Sequence, residues 1–175
     1  AMEFLAAGVQ VVSLHYSGAP ETFPVALMEL AKAVALVKSH ACEWNIDTER
    51  IMVCGFSAGG HLAACLGMMW NRDFLYGPLN MAPEDIQPKG MILCYPVITS
   101  GEFGHKRSFE QLLGGKAGDP RLRELVSLEL QAGPHTPRTF LWHTWTDQSV
   151  PAENSLLLAQ ALKKAGVSLE MHIYP

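Results

Sequence analysis

The sequence predicts an α/β fold, a mostly parallel sheet with helices on both faces, built as a single domain over residues 1–175. Three observations lead there. Short apolar, β-branched runs alternate with longer helical patterns, as parallel strands joined by crossover helices require. Polar residues of chemical interest, Ser57 and Asp147, fall just past the ends of two such runs, where this fold class gathers its function. The chain of 175 residues is 49% hydrophobic and 17% charged, a globular composition able to bury a sizeable core.

The elements follow in order. After Ala1-Met2-Glu3, a helical run from Phe4 to Ala7 leads into Val9–Tyr16, a buried-strand pattern. Ser17-Gly18-Ala19-Pro20 is a loop, and Pro24 opens a helix to about Trp44 with a wide apolar face. A turn at Asn45–Thr48 precedes the strand Ile51–Cys54, and a helix from Ala58 to Trp70 follows it. Residues 71–88, punctuated by Gly77, Pro78, Pro83 and Pro88, read as a surface excursion. Gly90–Tyr95 is the next strand. Between residues 97 and 138 the helical candidates are Ser108–Leu113 and Leu122–Leu130. Thr139–His143 is a strand, Pro151 opens a helix through Ala165 that Gly166 stops, and Ser168–Tyr174 is the last strand. The segments Trp70–Pro88 and Ile98–Arg138 are expected to contribute to a cover over the site.

Composition also excludes. A net charge of −4 without a basic cluster argues against nucleic acid as a partner. The longest apolar helical stretch, Val25–Val37, is interrupted by Glu29 and Lys32 and is not a membrane span. Cys42, Cys54, Cys65 and Cys94 lack C-x-x-C spacing and read as buried, reduced thiols, which suits a cytoplasmic setting. The scattered histidines form no H-E-x-x-H or Cys/His cluster, so no metal is expected.

The sharpest signal is Val53-Cys54-Gly55-Phe56-Ser57-Ala58-Gly59-Gly60-His61: an apolar strand, a G-x-S-x-G turn and an apolar helix. A serine on such a turn is held in a strained backbone with its hydroxyl above the sheet edge. Gly55 and Gly59 are expected at places where a Cβ would crowd the turn and the neighbouring helix. The Ala58 N–H then lies at a helix N-terminus, where the dipole favours a developing oxyanion. Ser57 is the candidate nucleophile; the competing reading is a glycine-rich turn that binds phosphate or nothing.

A serine nucleophile needs a base, and the base an orienting carboxylate. Asp147, past the strand Thr139–His143, occupies the expected place of the acid; its alternative role is that of a turn or cap residue, and Asp119 is a weaker candidate. No histidine presents itself as the base. His172 lies within a strand, His61 one turn into the helix after Ser57, His143 before the acid, and His105 in a loop.

Gly55-Phe56-Ser57-Ala58-Gly59-Gly60-His61-Leu62-Ala63 resembles the nucleophile elbow of the α/β-hydrolase superfamily, in its acetyl esterase and acetylxylan-esterase-like branch. Cys94–Ile98, Trp142-His143-Thr144 and Asp147–Ser155 add to the resemblance. It implies a serine carboxylic-ester hydrolase, with Ser57 as nucleophile, Asp147 as triad acid, the Ala58 amide as one oxyanion donor, and no cofactor. The implied substrates are small or sugar-linked acyl esters, acetyl first among them. A serine peptidase of the prolyl-oligopeptidase type shares the elbow and is the alternative enzyme; an inert fragment or binding-only protein is the alternative outside catalysis. The family's His-Gly-Gly loop and its triad histidine have no counterpart in this sequence, and its first three strands are missing. The chain is therefore expected to be a hydrolase domain truncated at both ends and, in isolation, inactive.

Overall fold

Four short apolar runs meet side by side at the centre of the computed structural model, which describes residues 2–175. Strands β1 (Met52–Phe56), β2 (Gly90–Cys94), β3 (Thr139–Thr144) and β4 (Leu169–Tyr174) pair in parallel, in the order β1-β2-β3-β4. Helix α3 (Ala58–Met69) connects β1 to β2, and α8 (Glu153–Lys164) connects β3 to β4. Between β2 and β3 run α6 (Lys106–Leu113) and α7 (Pro120–Leu125). Two further helices, α1 (Met2–Ala6) and α2 (Val25–Ser39), precede the sheet.

Helices expected on both faces of the sheet pack on one. Crossovers between parallel strands are right-handed. When the strand order advances steadily in one direction, each such crossover delivers its helix to the same side. Leu66 of α3, Leu158 of α8 and Leu27 of α2 close over Met91, Leu93 and Leu141, and all six side chains are buried. At Gly67 the α3 backbone lies so near Met91 that a Cβ would overlap the sulfur. The opposite face carries Met52, Cys54 and Phe56 exposed, beside the half-buried Ile92, Phe140, Trp142 and His172.

That open face corrects the reading of the cysteines. Cys65 and Cys94 are buried, but Cys54 points to the uncovered side and Cys42 lies exposed in the turns after α2. All four are free thiols.

Val9–Tyr16, expected as a buried strand, forms none. Its β-branched pattern has no neighbouring strand to take its N–H and C=O groups, and without a ladder an extended segment stays irregular. Val9, Val11 and Val12 are accordingly exposed. Helix α2 also ends earlier than expected. The His40 ring stacks on Trp44 at 4.7 Å, and Asn45, at φ +53°, turns the chain out in the left-handed conformation.

The Trp70–Pro88 stretch is no cover over the carboxyl edge. It runs from the end of α3 back to the start of β2, through α4 (Asp73–Tyr76) and α5 (Pro83–Ile86), and buries Leu75 and Ile86 in the core. The Lys38 ammonium holds α5 to α2 by donating to the carbonyls of Glu84 and Gln87. Among the described residues no helix is long and apolar enough to cross a membrane, and no three His, Cys, Asp or Glu side chains are grouped to hold a metal.

Candidate active site

Ser57 stands between β1 and α3 at φ +52°, ψ −119°, a conformation that costs a non-glycine residue about 1–3 kcal/mol. Three hydrogen bonds to its backbone hold it there. The Ser57 N–H donates to the Cys94 carbonyl at 3.0 Å, and its carbonyl accepts from Val97 N–H and His61 N–H, each at 3.2 Å. Although Ser57 occupies the N-cap position of α3, its hydroxyl makes no cap hydrogen bond. The Ala58 N–H belongs to the first turn of that helix, where amides have no intrahelical partner.

The glycines divide differently from expectation. A Cβ on Gly55 would collide with the Gly59 carbonyl, so Gly55 is required by the turn. On Gly59 a Cβ would meet only the Tyr16 hydroxyl, at an ordinary 3.7 Å. The second crowded position is Gly60, where a Cβ would sit 2.8 Å from Cβ of Pro96. Position 59 looks toward the open Tyr16 loop, while position 60 faces the corner that follows β2.

That corner is a part of the site that sequence reasoning missed. Tyr95 has φ +38°, which is strained for an aromatic residue, and it precedes a proline, which restricts it further. Its N–H extends the ladder to the Trp142 carbonyl at 2.7 Å, and its ring packs edge-on against Trp142 with centroids 5.2 Å apart. The reversal at Tyr95 lets the Cys94 carbonyl and the Val97 N–H both reach Ser57. Beneath it, the neighbouring Cys54 thiol draws the Cys94 thiol below its ordinary range. The Tyr95-Pro96 pair was visible in the sequence, but its backbone sign was not.

Asp147 lies past the carboxyl end of β3, one strand removed from the elbow strand, on the same edge of the sheet. Its Oδ1 accepts from Ser149 N–H at 2.8 Å and Val150 N–H at 2.9 Å, leaving Oδ2 without an amide partner. The carboxylate therefore does fold a turn, with one oxygen.

Buried side chains brace this loop from below. His143, fully buried, donates Nε2–H to the Val150 carbonyl at 2.8 Å, so its Nδ1 accepts a hydrogen bond from the Ser155 hydroxyl at 2.7 Å. Both ring nitrogens are occupied and the ring faces the core, so it does not line a pocket. Its Nε2 lies 3.6 Å from Asp147 Oδ2. Asn154 accepts from the amides of Ile98 and Thr99 through Oδ1 and donates from Nδ2 to the carbonyls of Phe103 and Pro151. The sequence signal for Asn154 was its place beside the Asp147 loop; nothing local showed that it would be buried.

The other histidines weighed as a base, His61, His105 and His172, are engaged elsewhere. His61 is buried, donates Nε2–H to the Val126 carbonyl at 2.9 Å, and is lowered to about 4 by burial. His105 caps α6 through Nδ1, and His172 pairs with Glu170 on the open face at 2.9 Å. Asp119 caps α7 by accepting from Arg121 N–H, which accounts for it as a helix cap.

Comparison with known proteins agrees with this frame. The chain is 34% identical over its whole length to endo-1,4-beta-xylanase B of Butyrivibrio fibrisolvens, covering 28% of that protein. It is 31% identical over 94% of its length to an acetylxylan esterase of Xylanibacter ruminicola, covering 32% of it. The chain thus spans about a third of the length of these curated relatives. The crystal structure of an acetyl ester-xyloside bifunctional hydrolase from Caldicellulosiruptor lactoaceticus superposes with a TM-score of 0.89 at 41% identity, over 99% of this chain and 64% of that one. A strand-elbow-helix at β1, a parallel sheet and a model match over residues 1–162 agree: the chain belongs to the BD-FAE family, on an α/β-hydrolase fold.

Proposed function

We propose that the protein carrying this chain is a serine carboxylic-ester hydrolase, with residues 1–175 as part of one catalytic domain. The observation that carries the reading is Ser57 itself. It is held at φ +52° on the β1–α3 turn, with its hydroxyl unused by the helix it caps and the free Ala58 N–H beside it. A strained serine whose hydroxyl does no structural work is poised for chemistry.

In the proposed reaction Ser57 Oγ attacks the ester carbonyl and passes its proton to a histidine that is not among the described residues. The Ala58 N–H and the N-terminal dipole of α3 stabilise the oxyanion. The alcohol leaves, and water releases the acyl-enzyme. Asp147 Oδ2 would orient the base. Strands β1 and β3 stand about 10 Å apart, two inter-strand spacings, a gap for an imidazole to fill. Small and sugar-linked acyl esters, acetyl in particular, are the proposed substrates, supported by relatives named acetylxylan esterase and acetyl ester-xyloside hydrolase.

The test is hydrolysis of 4-nitrophenyl acetate and acetylated xylan by the full-length protein and its Ser57→Ala variant. Loss of turnover in the variant, with a fluorophosphonate adduct mapped to Ser57 in the parent, supports the reading; unchanged turnover refutes it. The 175-residue chain alone is expected to be no faster than its own Ser57→Ala version, since lack of the base costs about 10⁶ in rate.

A further inference from the structure

A cavity of about 270 Å³ opens beside the elbow, between the first turns of α2 and α3, the loop from Tyr16 to Phe23, and α6. Ala58 stands at its edge, His61 and Leu62 form its floor, and Phe23, Phe109 and Leu112 form its walls. The oxyanion donor proposed above and this cavity therefore share a residue.

The cavity is built, not a loose gap between loops. Ser17 donates from both its N–H and its hydroxyl to the Glu29 carboxylate, at 2.7 and 2.6 Å, and the Ser17 hydroxyl is the foremost cause holding that carboxyl below its usual range. This ties the loop to α2. On the other side Phe23 N–H donates to the Leu112 carbonyl at 2.8 Å and joins the loop to α6. Phe109 is fixed edge-on against the His61 ring, with centroids 5.5 Å apart and planes at 89°.

Its lining is mostly apolar. No lysine or arginine is among it, and Glu21, a carboxylate in the lining, is exposed. His61 at the floor has its Nε2–H committed to the Val126 carbonyl. A carboxylate entering here would find no counter-charge; the Ser17 and Ser108 hydroxyls are engaged with Glu29 and His105, which leaves Tyr16, Thr22 and Gln111 as the polar side chains within a sugar's reach. An alkyl chain loses only water. An acetyl group would leave most of the space empty.

We propose that this cavity receives an alkyl group of the ester larger than acetyl, on its acyl or its alcohol side, with Leu112 and Phe109 limiting its length. The proposal rests on the esterase reading, which places the reacting carbonyl at Ala58. Each methylene buried there should raise kcat/KM about fourfold.

The experiment uses the full-length protein and two ester series: 4-nitrophenyl esters from acetyl to octanoyl, and acetates of ethanol to octanol. In the parent, kcat/KM is expected to rise at least tenfold from the shortest to a middle member of one series, and that series identifies the side of the ester that enters. Leu112→Trp, which fills the cavity, should lower the ratio of hexyl to shortest-chain kcat/KM about tenfold, and Leu112→Ala should move the optimum to longer chains. A flat or falling profile in both series overturns the proposal, as does an unchanged ratio in both variants. Should Ser57→Ala leave turnover intact, the esterase reading fails and binding of 1-hexanol decides the cavity alone. A rise in Tm with the parent but not with Leu112→Trp supports an alkyl site, and no rise in either refutes it.

Discussion

The two corners of the candidate site are held in place by different means. At the β1 corner Ser57 is positioned by backbone: a left-handed φ, three main-chain hydrogen bonds, and glycines at 55 and 60 where a Cβ has no room. At the β3 corner Asp147 is positioned by a buried polar network, in which His143 fixes Val150 and Asn154 fixes the Ile98–Phe103 loop. A backbone device depends on which residues lack side chains, and can be read from a glycine pattern. A side-chain brace depends on which polar groups the fold happens to bury, and cannot.

The comparison breaks first at Gly55. Gly55→Ala forces a Cβ against the Gly59 carbonyl and is expected to cost more than about 3 kcal/mol, read as the shift of a urea midpoint in the full-length protein. At the other corner Asn154→Leu strands the Ile98 and Thr99 amides and the Phe103 carbonyl, while the Pro151 carbonyl keeps the Asn154 main-chain N–H, and a loss of about 3 kcal/mol is expected by the same measurement, the groups not adding in full. An Asn154→Leu variant as stable as the parent would remove the case for a side-chain brace.

The next effect is one of pH. His61 titrates near 4 in the folded protein against an ordinary 6.5, because burial disfavours its charged form. The unfolded chain thus binds a proton that the folded chain does not, between these two values. The contribution is complete above pH 6.5 and is lost as pH falls toward 4, amounting to about 3 kcal/mol over the window. His61→Gln, which keeps a donor for the Val126 carbonyl, should flatten that part of the stability profile; an unchanged slope would assign the acid sensitivity elsewhere.

Smaller effects sharpen the contrast. Tyr95→Asn keeps a residue that tolerates positive φ, whereas Tyr95→Val does not and should cost about 1–2 kcal/mol more. If Tyr95 positions Ser57, the valine variant also loses kcat at constant KM and the asparagine variant keeps it. Gly59→Ala should lie within about 1 kcal/mol of the parent, on the stabilising side, since a Cβ there meets only Tyr16 and alanine favours a helix.

Much of this architecture was legible in the chain. Alternating apolar runs placed all four strands to within two residues, and G-x-S-x-G between a strand and a helix placed Ser57 on its turn. Asp147 lies past β3, where its place after an apolar run put it, and His61 lies one turn into α3. The failures share a cause. Val9–Tyr16 has the composition of a strand but no partner, because strand formation is a property of pairs. Gly59 looked as necessary as Gly55, because spacing alone does not tell which helix position faces Pro96.

Local sequence was enough to set the elbow, the apolar periodicities and the carboxylate after β3. These follow from side chains acting on their own stretch of backbone. Packing set the rest: the helices on one face, the exposure of Cys54, the reversal at Tyr95 that clamps Ser57, and the bracing role of His143. Each of those depends on contacts between residues far apart in sequence, whose energies exist only once the sheet has brought them together.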